Sequence, residues 1–326
     1  MKATERARLG RTSLEVTRFG LGTAPLAGLY EAVPEDQALA VISRAWDAGI
    51  RHFDTAPLYG FGLAEMRLGK ALHGKPREEF VLASKVGRLL RADAPPEPGQ
   101  NFQGTPPVNP VFDFTYDGVM RSVDESLGRL QLGRIDILHI HDPDDHYDAA
   151  LHGAYKALDH LRSEGVIQAV GVGMNQAEML ARFAREGNFD CFLLAGRYTL
   201  LDQVALDELL PICVERGIAI IAAGVYNSGI LADPKPGARY NYTAAPAPLL
   251  ERARKIRAVC DSHGVPLKAA ALQFPLGHPS VSCVVVGCRS VDQFDESIGM
   301  FEFDISPELW KDLKAKGLLP DDAPTP

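Results

Sequence analysis

The chain has no CxxC pair, no long apolar run, no excess of basic charge and no complete GxGxxG. Each absence removes a class of protein. The cysteines, Cys191, Cys213, Cys260, Cys283 and Cys288, are odd in number and scattered. That spacing argues against a disulfide framework or a thiol redox pair, and the thiols are expected to be reduced and buried in a cytoplasmic protein. Lys and Arg number 34 against 42 Asp and Glu, a net charge of −8. Nucleic acid and acidic membranes, which need a basic surface, are not expected partners. A small anionic ligand in a local pocket is still compatible with that charge. The longest apolar run, near Ile218–Val225, falls far short of the ~20 residues of a membrane helix. Met1–Arg11 is charged and lacks an apolar stretch, so no secretory signal is expected. Gly20-Leu-Gly22 and Gly60-Phe-Gly62 are near misses to a dinucleotide fingerprint, so a Rossmann domain is not expected.

What is there is an ordinary globular composition. The 326 residues are 46% hydrophobic and 23% charged, and 30 glycines and 23 prolines are too few for a low-complexity chain. Eight short apolar segments read as strands buried on both faces. They are Arg18–Leu21, Arg51–Asp54, Phe80–Ser84, Ile135–Ile140, Ile167–Val172, Cys191–Leu194, Ala219–Ala222 and Cys283–Val286. Amphipathic segments alternate with them: Glu35–Ala48, Phe61–Leu72, Asp117–Leu130, Ala149–Ser163, Gln176–Glu186, Leu206–Arg216 and Pro248–Ser262. This alternation predicts one (β/α)8 barrel spanning 1–326. Additions are an N-terminal hairpin over Ala7–Phe19, a helix near Leu267–Leu276 and a C-terminal helix near Ser306–Lys314. The connection Gly87–Thr115 is Pro- and Asp-rich with little periodicity. It is either a surface insertion or, at the active face of a barrel, a substrate lid.

Barrel chemistry comes from strand ends and the loops that follow. Asp54 ends the second strand and Tyr59 lies five residues on. Lys85 ends the third strand and His141 the fourth. A free phenol, with a pKa of about 10, is too weak an acid for exchange near neutrality, and a neighbouring ammonium corrects this. The set therefore suits proton transfer coupled to hydride transfer. Tyr59 would be the acid/base, Lys85 its tuning cation, Asp54 the orienting carboxylate and His141 the group that orients the substrate oxygen. Singly, each residue also fits a structural ion pair at a barrel mouth.

The strings Asp54-Thr55-Ala56-Pro57-Leu58-Tyr59-Gly60, Ser84-Lys85-Val86 and Leu138-His139-Ile140-His141-Asp142-Pro143 resemble the Asp–Tyr–Lys–His tetrad of the aldo-keto reductase superfamily. The likeness runs from Leu9–Val16 to Val286–Ser290. Gly171–Gln176 and Leu194–Gln203 are similar to the branch of L-fucose, D-threo-aldose and L-galactose 1-dehydrogenases and pyridoxal 4-dehydrogenase. The resemblance implies an NAD(P)-dependent oxidoreductase, acting on an aldose at C1, on pyridoxal, or on a general aldehyde. It implies a dinucleotide extended across the barrel top, with Gly22, Thr23 and Asp54 beside it. Asn175 would hold the carboxamide, and Tyr226, Asn227, Ser228 and Gly229 would wrap the pyrophosphate. Gly287, Arg289, Gln293, Glu296 and Ser297 would hold the adenosine end.

Three departures bear on the details. The Lys-Ser pair and later Arg that often grip a 2′-phosphate read Gly287, Cys288 and Gln293 here, with only Arg289 charged nearby, which favours NAD over NADP. The stacking aromatic falls near Ala223, and the carboxamide-holding Gln near Ala195. Arg197, just past the sixth strand, could contact substrate hydroxyls, or pair with Asp142 or Asp144. Two rival readings stay open. His139-Ile140-His141 followed by Asp142, Asp144, Asp145 and His146 has the look of a metal-dependent barrel hydrolase. A cofactor-binding subunit without turnover would also keep the barrel.

Overall fold

The computed structural model describes residues 1–96, 99–241 and 243–326. The apolar runs fold as eight parallel strands: β1 (Phe19–Gly22), β2 (His52–Asp54), β3 (Val81–Val86), β4 (Ile137–His141), β5 (Ala169–Met174), β6 (Cys191–Ala195), β7 (Ala219–Ala223) and β8 (Val281–Gly287). They close into a barrel in chain order, β8 pairing β1 through Val284–Phe19 to Gly287–Gly22. The strand bounds shift by up to two residues from the sequence reading. Helices α1 (Glu35–Asp47), α2 (Leu63–Leu72), α3 (Tyr116–Leu130), α4 (Tyr155–Ser163), α5 (Ala177–Glu186), α6 (Leu209–Arg216), α7 (Ala247–Ser262), α8 (Leu267–Gln273), α9 (Val291–Phe301) and α10 (Pro307–Ala315) accompany the strands.

Side chains alternate across each strand, so every second residue enters the barrel. Phe53, Leu82, Leu138 and Ile140 pack in the larger apolar cluster that holds the helices. Val81, Ala83, Ile137, Cys191, Ile221 and Cys283 form a second cluster inside the barrel, joined by Leu9, Leu14 and Val16. The N-terminal hairpin, Arg6–Arg8 paired with Glu15–Thr17, thus plugs the barrel floor. The same alternation turns Asp54, Lys85 and His141 inward at the opposite end.

The packing between α2 and α3 is close enough to require glycine. A Cβ on Gly69 would lie 2.0 Å from the Leu130 carbonyl oxygen, which is backbone and cannot rotate away. Gly69→Ala is expected to cost about 1–3 kcal/mol as overpacking, read as a fall in denaturant midpoint with m unchanged.

Two segments differ from expectation. Gly87–Thr115 carries an antiparallel ribbon, Arg88–Arg91 with Asn109–Phe112. Its tip is stitched to the loop after β1: Tyr30 N donates to Asn101 O at 2.7 Å and Gln103 N to Gly28 O at 2.9 Å. Gly28, at φ +91°, is needed there, because a Cβ would meet the Gln103 oxygen at 2.2 Å. Residues 97 and 98 of this connection lie outside the described residues. The second difference is α9, in a stretch read from sequence only as an adenosine-holding segment. Ser290 caps it by accepting from Gln293 N at 3.2 Å, and Phe294 and Phe301 are buried.

Candidate active site

At the barrel mouth Lys85 Nζ donates to Asp54 Oδ1 at 2.7 Å, to Asp54 Oδ2 at 2.8 Å and to Thr55 O at 2.9 Å. All three ammonium protons are committed. Lys85 is 1% exposed and Asp54 3%, so the pair lies beneath the mouth. The ammonium stands 4.7 Å from the centroid of the Tyr59 ring. Its influence on that phenol is therefore a field acting through space rather than a hydrogen bond. The Tyr59 and His141 rings meet edge to face, centroids 5.7 Å apart. Phe102, from the inserted segment, comes within 6.2 Å of Tyr59 and 6.3 Å of Phe61. The four residues selected from strand ends are thus brought together, with an aromatic from the insertion at their rim.

Burial sets the protonation of this interior. His141 is held well below the usual imidazole range by burial, then by Lys85 and Arg88. His139, one layer deeper, is lowered in the same way, and His52 falls to about 4 through burial and Lys85. Burial pushes the Asp54 carboxyl up, and Lys85 opposes it. The three imidazoles are neutral when folded. On acidification the unfolded chain takes up their protons near its ordinary histidine pKa of about 6.5, before the folded chain does. Stability is therefore full above about pH 6.5 and falls as the pH drops towards the folded pKa values. His52 alone, with its pKa at about 4, is expected to contribute about 3 kcal/mol of that loss, measured as denaturant unfolding across pH 7 to 4. His52→Gln should flatten the slope.

The residues assigned to a dinucleotide ring the same mouth. Thr23 Oγ1 and N both donate to Asp54 O at 3.0 Å, tying the loop after β1 to β2. A Cβ on Gly287 would meet Pro25 at 2.6 Å, so that loop and the end of β8 lie in contact. Asn175 Nδ2 donates to Ala195 O at 3.0 Å, which fixes the amide at the end of β5. Asn227, Ser228 and Gly229 are left-handed in succession, at φ +46°, +59° and +103°. Asn227 is spent within the fold: Nδ2 donates to Gly196 O at 2.9 Å, and Oδ1 accepts from Thr199 Oγ1 at 2.6 Å. The Tyr226 hydroxyl is buried, which raises its pKa.

At the adenosine end, Arg289 Nη2 donates to Leu29 O at 2.9 Å, and Arg289 N to Gln293 Oε1 at 2.9 Å. Ser297 Oγ donates to Gln293 O at 2.8 Å, and Glu296 pairs with Lys268 at 2.7 Å. Gln293, Glu296 and Ser297 therefore project from α9, not from a loop. Arg239 was not singled out from the sequence. Arg239 bridges the backbone of Gly229, and its guanidinium lies 4.8 Å over the Tyr30 ring. The signal available was a basic residue shortly after Gly229, but the loop path that returns it was not readable.

Of the two roles expected of Arg197, the ion pair with Asp142 or Asp144 is not formed. Arg197 donates to Asn241 Oδ1 at 3.0 Å and stands 3.8 Å from Asp202, on its own side of the mouth. Asp142 instead faces Arg88 at 3.7 Å, and Asp144 accepts from Gln176. Among the described residues no group of three or more His, Cys, Asp and Glu is arranged to hold a metal ion. All five cysteines are buried and unpaired. No described helix is long and apolar enough to cross a membrane. A cavity of about 510 Å³ opens at the barrel floor, lined by Arg6, Arg8, Arg134 and Asp136 among others. It shares no residue with the mouth, and Arg134 is already paired with Asp136 at 3.1 Å. Barrel chemistry sits at the C-terminal strand ends, so the mouth is the candidate site.

Fold and site together define a (β/α)8 enzyme with a buried Lys–Asp pair under a tyrosine at its open face. The chain belongs to the aldo/keto reductase family, whose model matches residues 18–317, and it is an oxidoreductase of that family. It is 43% identical to the pyridoxal 4-dehydrogenase of Microbacterium luteolum and 43% identical to the D-threo-aldose 1-dehydrogenase of a Pseudomonas species. Each match covers 98% of this chain and 99% of the relative. The L-galactose dehydrogenase of Arabidopsis thaliana is 32% identical over 91% of this chain and 88% of that protein. Among solved structures, the holo form of a Bacillus halodurans aldo-keto reductase superposes with a TM-score of 0.75 at 25% identity, covering 95% of both chains.

Proposed function

We propose that the protein is an NAD(P)-dependent dehydrogenase that oxidises an aldose at C1 to the lactone, with NAD preferred. The convergence of Tyr59, His141 and the Lys85–Asp54 pair at one mouth carries this reading. A nicotinamide dinucleotide would supply the hydride acceptor. The mouth suits it: a fixed amide at Asn175, three successive left-handed residues at 227–229 and the cations Arg239 and Arg289 around one rim. Tyr59 takes the proton of the sugar C1 hydroxyl as C1 loses hydride. Lys85 stabilises the negative charge on the phenol oxygen through space, and Asp54 holds Lys85 charged and in place. His141, neutral, orients the reacting oxygen. Buried, unpaired thiols suit a reducing compartment, and we place the enzyme in the cytoplasm.

The coenzyme preference follows from Arg289 and its neighbours. One Nη2 hydrogen of the Arg289 guanidinium goes to Leu29 O, and Gly287, Cys288 and Gln293 add no second cation for a 2′-phosphate. NAD is therefore expected to exceed NADP in kcat/KM by about 10-fold or more, the worth of one charged hydrogen bond. A second reading, pyridoxal oxidation through its hemiacetal, is favoured by the 43% identical pyridoxal 4-dehydrogenase. A panel of L-fucose, L-galactose, D-arabinose, pyridoxal and simple aldehydes, run with NAD and NADP and read by reduced-nicotinamide absorbance, decides between them. Turnover of simple aldehydes alone would defeat both readings.

A further inference from the structure

Asp142 occupies a position that the chemistry so far leaves unused. It follows His141 directly and adopts φ +43°, the left-handed region that costs a side-chain-bearing residue and persists only where its surroundings impose it. Its amide donates to Gly173 O at 3.0 Å, which holds the turn against β5. The result is a carboxylate folded back towards the mouth: Oδ2 lies 3.5 Å from His141 Nε2. Arg88 Nη2 approaches the same oxygen, at 3.7 Å. That guanidinium is fixed in turn, 4.4 Å over the Phe112 ring at the foot of the inserted ribbon. The Asp142 side chain is 33% exposed, against 8% for His141 and 10% for Arg88. The carboxylate is therefore the most accessible member of this trio.

We infer that Asp142 reads the hydroxyl on the carbon next to the reacting one, and so selects vicinal polyols. This rests on the aldose reading above. A substrate oxygen oriented by His141 has the C2 hydroxyl of an aldose beside it, separated by about one hydrogen-bond length. Asp142 Oδ2, 3.5 Å from His141 Nε2, is close enough to the oxygen that His141 orients to meet the hydroxyl beside it. A carboxylate offers two oxygens and about four lone-pair sites, so it can accept a hydroxyl in addition to the contacts it already makes. It favours a hydroxyl donor at C2 and gives nothing to a C2 that carries only hydrogen. In the pyridoxal hemiacetal the ring carbon next to the reacting one carries no hydroxyl, so Asp142 gives it nothing either.

The test compares wild type, Asp142→Asn and Asp142→Gly, both replacements tolerating a left-handed backbone. The substrates are L-galactose or D-arabinose, whichever the wild type oxidises, and its 2-deoxy analogue. Wild type is expected to favour the parent sugar over the 2-deoxy sugar by roughly 10- to 100-fold in kcat/KM, the worth of a hydrogen bond to a charged group. Both variants should lose that preference through the parent sugar alone, with the 2-deoxy rate and the thermal midpoint little changed. An equal fall on both sugars would make Asp142 only an anchor for Arg88 and overturn the inference, as would a wild type indifferent to the C2 hydroxyl. A wild type that oxidises pyridoxal but no aldose would instead remove the aldose reading, and this inference with it.

Discussion

Tyr59→Phe is expected to lower turnover by roughly 10²- to 10⁴-fold, the range of general acid/base catalysis, while dinucleotide binding persists. The substitution removes one hydroxyl and nothing else. The ring keeps its contacts with Phe102 at 6.2 Å and His141 at 5.7 Å, and it stays beneath the Lys85 field. The residues proposed to hold the dinucleotide, Asn175 and the 226–229 and 287–297 segments, come from other strands. Binding followed by quenching of protein fluorescence should therefore match wild type, and the loss should fall in kcat rather than in KM for the coenzyme. Turnover near the wild-type rate in this variant would remove Tyr59 from the chemistry, and would leave the Lys85–Asp54 pair as a structural element.

The barrel was legible because parallel strands covered on both faces are written as largely apolar runs, and Asp54, Lys85 and His141 stand at or next to the C-terminal ends of theirs. Asp54, Lys85 and His141 stood out for that reason. The features that escaped share a different physics. The ribbon of Arg88–Arg91 with Asn109–Phe112 is a pairing between distant segments, with no local pattern to announce it. Helix α9 did carry a local signal, Ser290 capping Gln293 and apolar residues at Phe294, Ile298 and Phe301, but its polar first turn reads equally well as loop. Arg197 was expected either to contact substrate hydroxyls or to pair with Asp142 or Asp144; as an ion pair it meets Asp202 and Asn241 instead, because ion-pair choice depends on the path of loops that pattern does not encode. The left-handed turn at Asp142 is likewise invisible until the backbone is seen.

Breaking the Lys85–Asp54 pair should damage stability as well as rate, and the two effects can be separated. Lys85→Met leaves the Asp54 carboxylate 3% exposed with its cation gone. Asp54→Leu strands the ammonium with Thr55 O alone. Each single replacement is expected to cost about 3–5 kcal/mol in denaturant unfolding, since an uncompensated buried charge must be desolvated or neutralised. Exchanging both partners for apolar side chains of similar volume removes that penalty, so Asp54→Leu with Lys85→Met should recover most of the lost stability. Turnover should not recover. The double variant should be a stable, folded barrel whose rate stays roughly 10²- to 10⁴-fold low, because the cation that stabilises charge on Tyr59 is absent. A double variant that regains turnover along with stability would show that the pair only supports the mouth. A folded but inactive one separates its two contributions, scaffold and electrostatics, at a single site.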